Sequence, residues 1–428
     1  MIQSLKSVFE VKHIRKKIIV TLLLVLVYKI LSVIPVPGAD TTRLASIFST
    51  ESGEASNTGL SFFSALMGGG LKNFSIILMG LSPYINAVII IQLLGVIIPK
   101  IGDLQKEGEQ GQKVITKWTR RLTLPLAFAQ SYGMIILMNN LAGQPIIDTN
   151  NFSVILSAMM IISAGTMFLM WLGEIMTESG IGNGISIIIT AGVLAAAPQT
   201  IMGYIDKGDY PFFIGILLAT LVIILVIIKF TEGNRRIPVI YTRTGREEKS
   251  YFPIRINQAG MIPIIFAVSL VTFPSILGQL LTKSTSANAQ SIGKFFETYL
   301  NMNSPTWTLV GFYFLLVVAF SFFYVSITFN TDQVAESIQK RGGYIPGIRP
   351  GTDTANYLAK VSNHLNLFGG SFLALIAVLP YIVSLIRGGE SVNFIISGAG
   401  LIIIVSVILD LIRKVDTEVK MFDYSKFK

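Results

Sequence analysis

Few side chains in this sequence are equipped for covalent or metal chemistry. Cysteine is absent from all 428 residues, which removes disulfide frameworks, thiolate nucleophiles and thiolate metal sites at once. The two histidines, His13 and His364, have no second imidazole at metal-ligand spacing, and no H-E-x-x-H, G-x-S-x-G or P-loop pattern occurs. Gly180-Ile181-Gly182-Asn183-Gly184 has the alternation of a nucleotide loop, yet it lies between two apolar runs with no strand before it. A hinge at a membrane boundary suits those glycines better than a phosphate cradle. The polar groups left inside apolar sequence are neutral: Asn86, Gln92, Gln130, Asn183, Asn257 and Gln258. Side chains of this kind form hydrogen bonds between helices, worth about 0.6 kcal/mol on average. That chemistry holds and releases helices and breaks no bond. Neither an enzymatic reaction nor a cofactor or metal is expected.

The elements that position these groups follow from composition. Hydrophobic residues make up 52% of the chain and charged ones only 14%, with a mean hydropathy of +0.65. Soluble proteins carry roughly 25% charged residues, so the outer surface must face lipid. A helix crossing the hydrocarbon needs about 20 predominantly apolar residues. Ten such runs occur, over Ile18 to Ile34, Phe74 to Ile98, Leu122 to Met138, Phe152 to Leu172, Ile185 to Met202, Pro211 to Ile228, Gly260 to Leu281, Leu309 to Phe329, Leu367 to Ile386 and Val392 to Ile412. Alternate connecting segments hold 27 Lys and Arg on one side and 6 on the other, so the positive-inside rule puts both termini in the cytoplasm. The first run lacks a small-residue cleavage pattern and is expected to remain as a signal anchor.

Ten spans divide into five and five, and a half with an odd number of spans reinserts with opposite orientation, which is the arithmetic of an inverted repeat. The expected organisation is an all-α integral membrane protein with an N-terminal half over 1–203, a C-terminal half over 204–414 and a cytoplasmic tail over 415–428. Two cytoplasmic loops, 229–257 and 330–366, carry 11 of the 27 inside charges and are too long to be turns. Ionisable residues within the spans are nearly absent: Lys29 sits near one end of the first, where it can snorkel, and Asp410 near the cytoplasmic end of the last. A coupled transporter normally needs such groups at the midplane. That reading, a ten-helix transporter with a small-molecule site, stays as the alternative. The segment 59–72 is apolar but too short to span, and it ends in Gly68-Gly69-Gly70. A re-entrant half-helix and a segment lying on the membrane surface fit it equally.

Several motifs together resemble the SecY family, the channel subunits of bacterial preprotein translocases. They are Pro83-Tyr84-Ile85 with Ile89-Ile90-Ile91-Gln92-Leu93-Leu94, Lys106-Glu107-Gly108-Glu109, Trp171-Leu172-Gly173-Glu174, Gly180 through Ser186, Arg235-Arg236-Ile237-Pro238, Ala259-Gly260-Met261-Ile262-Pro263, and Gly342 through Gly351 with Arg349 inside it. The resemblance implies two five-helix halves clasped around a central hourglass pore, with a lateral gate between the second and seventh spans.

By the same resemblance a waist of aliphatic side chains falls on Ile85, Ile89, Ile185, Ile189, Ile265 and Ile403, although an isoleucine in a span is, by residue type alone, a packing or lipid contact. The first two pairs are spaced i, i+4 and so share a helix face. An apolar collar resists wetting and ion passage. The segment 59–72 is implied to be the plug, with Phe62, Leu66 and Met67 as collar contacts. Asn86, Gln92, Gln130 and Asn183 are expected to hold the gate closed by hydrogen bonding until a preprotein signal sequence intercalates, their plain alternative being ordinary interhelical bonds. The basic loops are implied to dock the ATPase SecA and the ribosome, through Arg235, Arg236, Arg243, Arg246, Lys249 and Arg255 on the first and Lys340, Arg341 and Arg349 on the second. Ribosomal RNA attracts such charges through phosphate, and topological retention alone is their other reading. Small subunits SecE and SecG, membrane lipids receiving released segments and a bacterial plasma membrane location are implied as well.

Overall fold

The computed structural model describes residues 12–40, 73–142, 145–148, 151–206, 210–243, 246–282, 286–300, 306–386 and 396–426. The expected plug, 59–72 with Phe62, Leu66 and Met67, lies outside the described residues. Thirteen helices and three strands occur among those described: α1 (Lys12–Leu31), α2 (Ser82–Ile97), α3 (Pro99–Lys106), α4 (Glu109–Ala142), α5 (Phe152–Ser179), α6 (Gly184–Asp206), α7 (Tyr210–Glu232), β1 (Asn234–Arg243), β2 (Arg246–Arg255), α8 (Ile262–Leu281), α9 (Ala287–Tyr299), α10 (Trp307–Thr328), α11 (Thr331–Lys340), β3 (Gly343–Tyr344), α12 (Thr352–Ile386) and α13 (Gly398–Lys426).

Each of the ten apolar runs contains one long helix: α1, α2, α4, α5 and α6, then α7, α8, α10, α12 and α13. By length and composition six are apolar enough to cross a membrane, or seven with the bent pair α2 and α3 taken together. The helices α1 and α13 are continuous with charged ends, which dilutes them. The helices outrun the apolar stretches because a hydrogen-bonded ladder, once started, continues into polar sequence; α4, α6, α8 and α12 even run on through Pro125, Pro198, Pro274 and Pro380.

The second run departs from expectation. Its helix begins at Ser82 rather than Phe74, with Pro83 in the first turn, where the missing N–H costs nothing. Residues 74–81 instead form turns, with Phe74 at φ 45° and Gly80 at φ 51°. The Val36 N–H donates to the Phe74 carbonyl at 2.9 Å and the Ile76 N–H to that of Ile34 at 3.0 Å, so this irregular strand is stapled to the chain leaving α1. Non-helical backbone at membrane depth must be enclosed by protein. Phe74, Ile77, Leu78, Met79 and Leu81 are indeed all buried. At its other end α2 stops before Pro99 and the chain turns by 112° into α3, since proline excludes the preceding residue from helical backbone.

Among the described residues, the membrane part packs into three large apolar cores, with two smaller clusters around Ile14 and Tyr204. One belongs to the first five spans, around Phe74, Leu78, Met134, Met138 and Ile162. Another belongs to the last five, around Ile227, Ile264, Tyr313, Val317 and Leu373. The third joins the two, with Tyr28, Leu172 and Ile188 from one set of helices against Ile265, Ile403 and Val407 from the other. On the outside, Leu218, Val222 and Leu225 of α7 are more than half exposed, as a lipid-facing surface requires.

Both basic loops fold, which the sequence analysis did not anticipate. The strands β1 and β2 pair antiparallel in a hairpin, and β3 joins the free edge of β1 through Ile240 opposite Tyr344 and Tyr241 opposite Gly343. Alternate residues Ile237 and Val239 point inward, the period of two that a half-buried strand demands. Pro238 is tolerated in the middle strand because β3 begins to pair only beyond it.

Candidate functional site

The joining core is where the predicted collar residues meet. Ile189, Ile265 and Ile403 are buried in it, and Ile85 and Ile185 pack against it half-buried. They arrive on α2, α6, α8 and α13, two helices from each half. Ile89 is half-buried and stands apart from this cluster, one turn along α2 from Ile85. The residues meeting at this junction between halves are mostly aliphatic, with Tyr28 and Met176 among them.

Beside it α8 touches both α2 and α4. The same two helices carry glutamines: Gln92 on α2 and Gln130 on α4 each have the side-chain carbonyl oxygen sealed from solvent with no hydrogen-bond partner among the described residues. An unmatched buried acceptor costs about 1–3 kcal/mol, so these helices meet at a strained place. Asn86 is half-buried on α2. Asn183 behaves differently. It is exposed, and its side-chain oxygen accepts from the N–H groups of Ile185 (3.1 Å) and Ser186 (3.4 Å). That oxygen caps the start of α6, as asparagine commonly does, and is engaged within its own helix end.

A second polar group at the entry to α8 was only half visible in the sequence. The Gly260 N–H donates to Asn257 Oδ1 at 2.9 Å, Ser362 Oγ to Gln258 Oε1 at 2.7 Å and Ser321 Oγ to Asn366 Oδ1 at 2.7 Å. Gly260 sits at φ 65°, in the left-handed region that glycine occupies without penalty. The amide nitrogens of Asn257, Gln258 and Asn366 are buried without acceptors among the described residues. Ser321, Ser362 and Asn366 gave no signal of their own, because a serine or asparagine in a span reads as generic punctuation until its partner is known.

The basic residues gather on the folded loops. Arg235, Arg236, Lys249 and Arg255 are exposed on the hairpin, and Arg341 and Arg349 are exposed on the second loop. Arg243 and Arg246 face each other in register at the hairpin tip. Lys340 is exposed and pairs with Glu336 at 2.8 Å one turn back, which leaves it partly neutralised. Ile237, Val239 and Ile254 of the hairpin share an apolar core with Ile338, Ile345 and Leu358. The two loops are therefore one body. An open pocket of about 380 Å³ lies on it, lined by Tyr241, Phe252, Asn330, Gln333 and Arg341 among others. The turn carrying Arg349 is set by Gly347 and Gly351, both at positive φ, and Thr354 Oγ1 donates to the Arg349 carbonyl at 2.8 Å. Arg349 thus projects from a braced turn.

Comparison with known proteins gives this arrangement its relatives. The SecY family model matches residues 75–412. The protein translocase subunit SecY of Thermotoga maritima is 38% identical over all of this chain and 98% of its own length, and that of Escherichia coli K12 is 36% identical over 95% of this chain and 91% of its own. Among solved structures, that described as a protein conducting channel superposes with a TM-score of 0.65 at 18% identity, covering 94% of this chain and 92% of the other. Sec61 in the canine ribosome-channel complex from the endoplasmic reticulum superposes at 0.63, also at 18% identity, with the same coverage. The fold is that of these channels, ten membrane helices in two inverted halves around a central pore with a lateral gate. A family model spanning most of the chain, and relatives above 30% identity along its whole length, make the chain a member of the SecY family of protein translocase subunits.

Proposed function

We propose that this chain is the protein-conducting subunit of a bacterial plasma-membrane translocase, with both termini cytoplasmic and a division between halves near residue 203. It passes unfolded preproteins through the aliphatic junction and releases hydrophobic segments sideways between α2 and α8. The observation that carries the reading is the meeting of Ile85, Ile185, Ile189, Ile265 and Ile403 from both halves in one uncharged core. Two bundles joined by aliphatic contacts can separate around a polypeptide without breaking a salt bridge or a hydrogen bond there. Ile89 completes the collar one turn away, and the segment 59–72, through Phe62, Leu66 and Met67, closes it from outside.

Sideways release is a partition. At about −0.3 to −0.6 kcal/mol per Leu, Ile, Phe or Val, a run of such residues in a translocating chain lowers its free energy by entering lipid. The chain performs no chemistry, so work comes from outside, from SecA or the ribosome docked on the joined cytoplasmic loops, with SecE and SecG as companion subunits. The braced Arg349 turn and the exposed hairpin arginines support that docking.

The central test is crosslinking. A stalled secretory chain should crosslink to cysteines placed at Ile85 and Ile265, which the native absence of cysteine makes unambiguous. A stalled chain that never reaches either position would overturn the reading.

The gate carries its own expectation. With α2 and α8 in contact, as in this structure, the carbonyls of Gln92 and Gln130 lack donors among the described residues; when the two helices part, water and the arriving segment supply them. Gln92→Leu with Gln130→Leu should therefore favour the closed state by about 1–3 kcal/mol per relieved carbonyl, roughly tenfold or more in the open population. Protease protection in inverted vesicles should show reduced export of a preprotein with a weakened signal sequence. Unchanged or improved export would remove both residues from the gate.

A further inference from the structure

We propose that α9 is an interfacial membrane anchor, a helix lying in the lipid headgroup region with one flank on the acyl chains, which fastens the far end of α8 to the bilayer surface. The helix follows α8 and precedes α10. Both neighbours are spans, so α9 sits at a membrane boundary whichever side that is. Residues of the helix and its C-cap mark three sectors, with exposed Asn288 at the N-terminal end of the apolar flank and Gln290 on a further side. Ala289, Gly293, Phe296 and Leu300 recur every three to four residues on the inward side, with Gly293 buried and the others half-buried. Leu300 packs on the core of the last five spans. Gly293 sits directly on the end of α8, where a β-carbon would meet Thr282 N at 2.5 Å, the Leu281 carbonyl carbon at 2.8 Å and Gly278 O at 3.0 Å. Nothing larger than glycine allows that approach, and it ties the two helices together.

The second sector is Ile292, Phe295 and Tyr299, spaced i, i+3 and i+7 and exposed by 52%, 56% and 43%. At 3.6 residues per turn these three lie about a quarter turn from the inward side. The Phe295 and Tyr299 rings stand 5.0 Å apart. Ser291, Lys294 and Thr298 form the third, polar sector and are exposed. A water-facing helix would place polar residues in both outer sectors. A spanning helix would be apolar all round and about 20 residues long, whereas α9 has 13. An apolar, aromatic flank beside a polar one is the pattern of a helix lying in the interface plane. Trp307, which opens α10 at this boundary, is 64% exposed, and Trp and Tyr are the residues enriched at that depth. The occupant of the flank is therefore lipid, continuous with the lipid-facing surface of α10 at Phe312 and Leu315.

The anchor stands independently of the gate reading. If α8 moves as proposed above, it pivots about an end held at the membrane surface. The test uses the full chain in vesicles of phosphatidylethanolamine and phosphatidylglycerol, with single nitroxide labels at I292C, F295C, Y299C, S291C, K294C and T298C in the naturally cysteine-free protein. The first three should be more accessible to oxygen than to an aqueous nickel chelate, at about 5–10 Å below the headgroups, and the last three the reverse. Phe295→Trp, a milder change, should be quenched by shallowly brominated lipid. Equal aqueous accessibility at all six positions would overturn the proposal. Shielding of 292, 295 and 299 from both relaxants would overturn it too, by placing a companion subunit or a second copy on that flank.

Discussion

Replacing Ile85, Ile265 and Ile403 together by asparagine is expected to turn a sealed resting channel into an ion leak. These side chains come from α2, α8 and α13 and belong to the core that joins the halves. An ion entering an apolar, unhydrated waist meets a cost of at least about 2.5–3.5 kcal/mol on insertion scales. At 1.4 kcal/mol per tenfold, that suppresses its presence by roughly two orders of magnitude. Three carboxamides offer donors and acceptors that keep water in the constriction, so most of that suppression should be lost. Purified protein in planar bilayers should then show resting conductance about a hundredfold above the parent. Ile403 is fully buried, and its replacement can disturb folding, so the pair Ile85→Asn with Ile185→Asn, at half-buried positions, carries the test by itself. Parent-level conductance in that folded pair would mean that the ions are stopped elsewhere and the collar assignment is wrong.

The second large effect is expected at Arg349. Its guanidinium is exposed, while its backbone is braced by the Thr354 hydroxyl and by two glycines at positive φ. A charge held on a rigid turn loses little entropy when it binds, and arginine grips a carboxylate or a phosphate with two parallel hydrogen bonds. Truncating one member of a desolvated interface pair costs about 2–5 kcal/mol, and Arg349→Glu adds repulsion to that loss. SecA-driven export in reconstituted vesicles should fall at least tenfold at limiting SecA and recover partly as SecA is raised. Thermal stability should stay at the parental value, since no ion pair of Arg349 is present among the described residues. Lys340→Glu is the internal comparison: Lys340 is already paired with Glu336, so its reversal should matter less. Normal export by the Arg349 variant would take that turn out of the docking surface.

How much of this was legible beforehand differs by element. Every apolar run yielded a helix, because a 20-residue apolar stretch reports its partition into lipid from composition alone. An end was legible where proline punctuates it, as at Pro99. The start of the second run was misplaced by eight residues, from Phe74 to Ser82. Phe74 to Leu81 is as apolar as a helix, and only enclosure by α5 and the strand after α1 lets its backbone be irregular. The hairpin of the first basic loop was missed although Ile237, Val239 and Tyr241 alternate with Pro238 and Ile240. Arginines at both ends and a central proline blur the period of two along its first strand. The resemblance makes Asn183 one of the groups that hold the gate, while the structure has its oxygen capping α6.

Local sequence determined that the chain lives in lipid and that each of the ten apolar runs becomes a helix, since each of these depends on some twenty consecutive residues and on the solvent around them. Which isoleucines meet was decided only by the tertiary structure. In a soluble helix the buried face stands out against a polar one, but in a bilayer both lipid and neighbouring helices are apolar, so Ile85 and Ile90 are indistinguishable along α2 until packing turns one toward α8 and the other outward. The same holds for the union of the two basic loops through Ile237, Ile338 and Leu358, and for the stranded carbonyls of Gln92 and Gln130. Adjacency across the chain, rather than residue type, determines each of them.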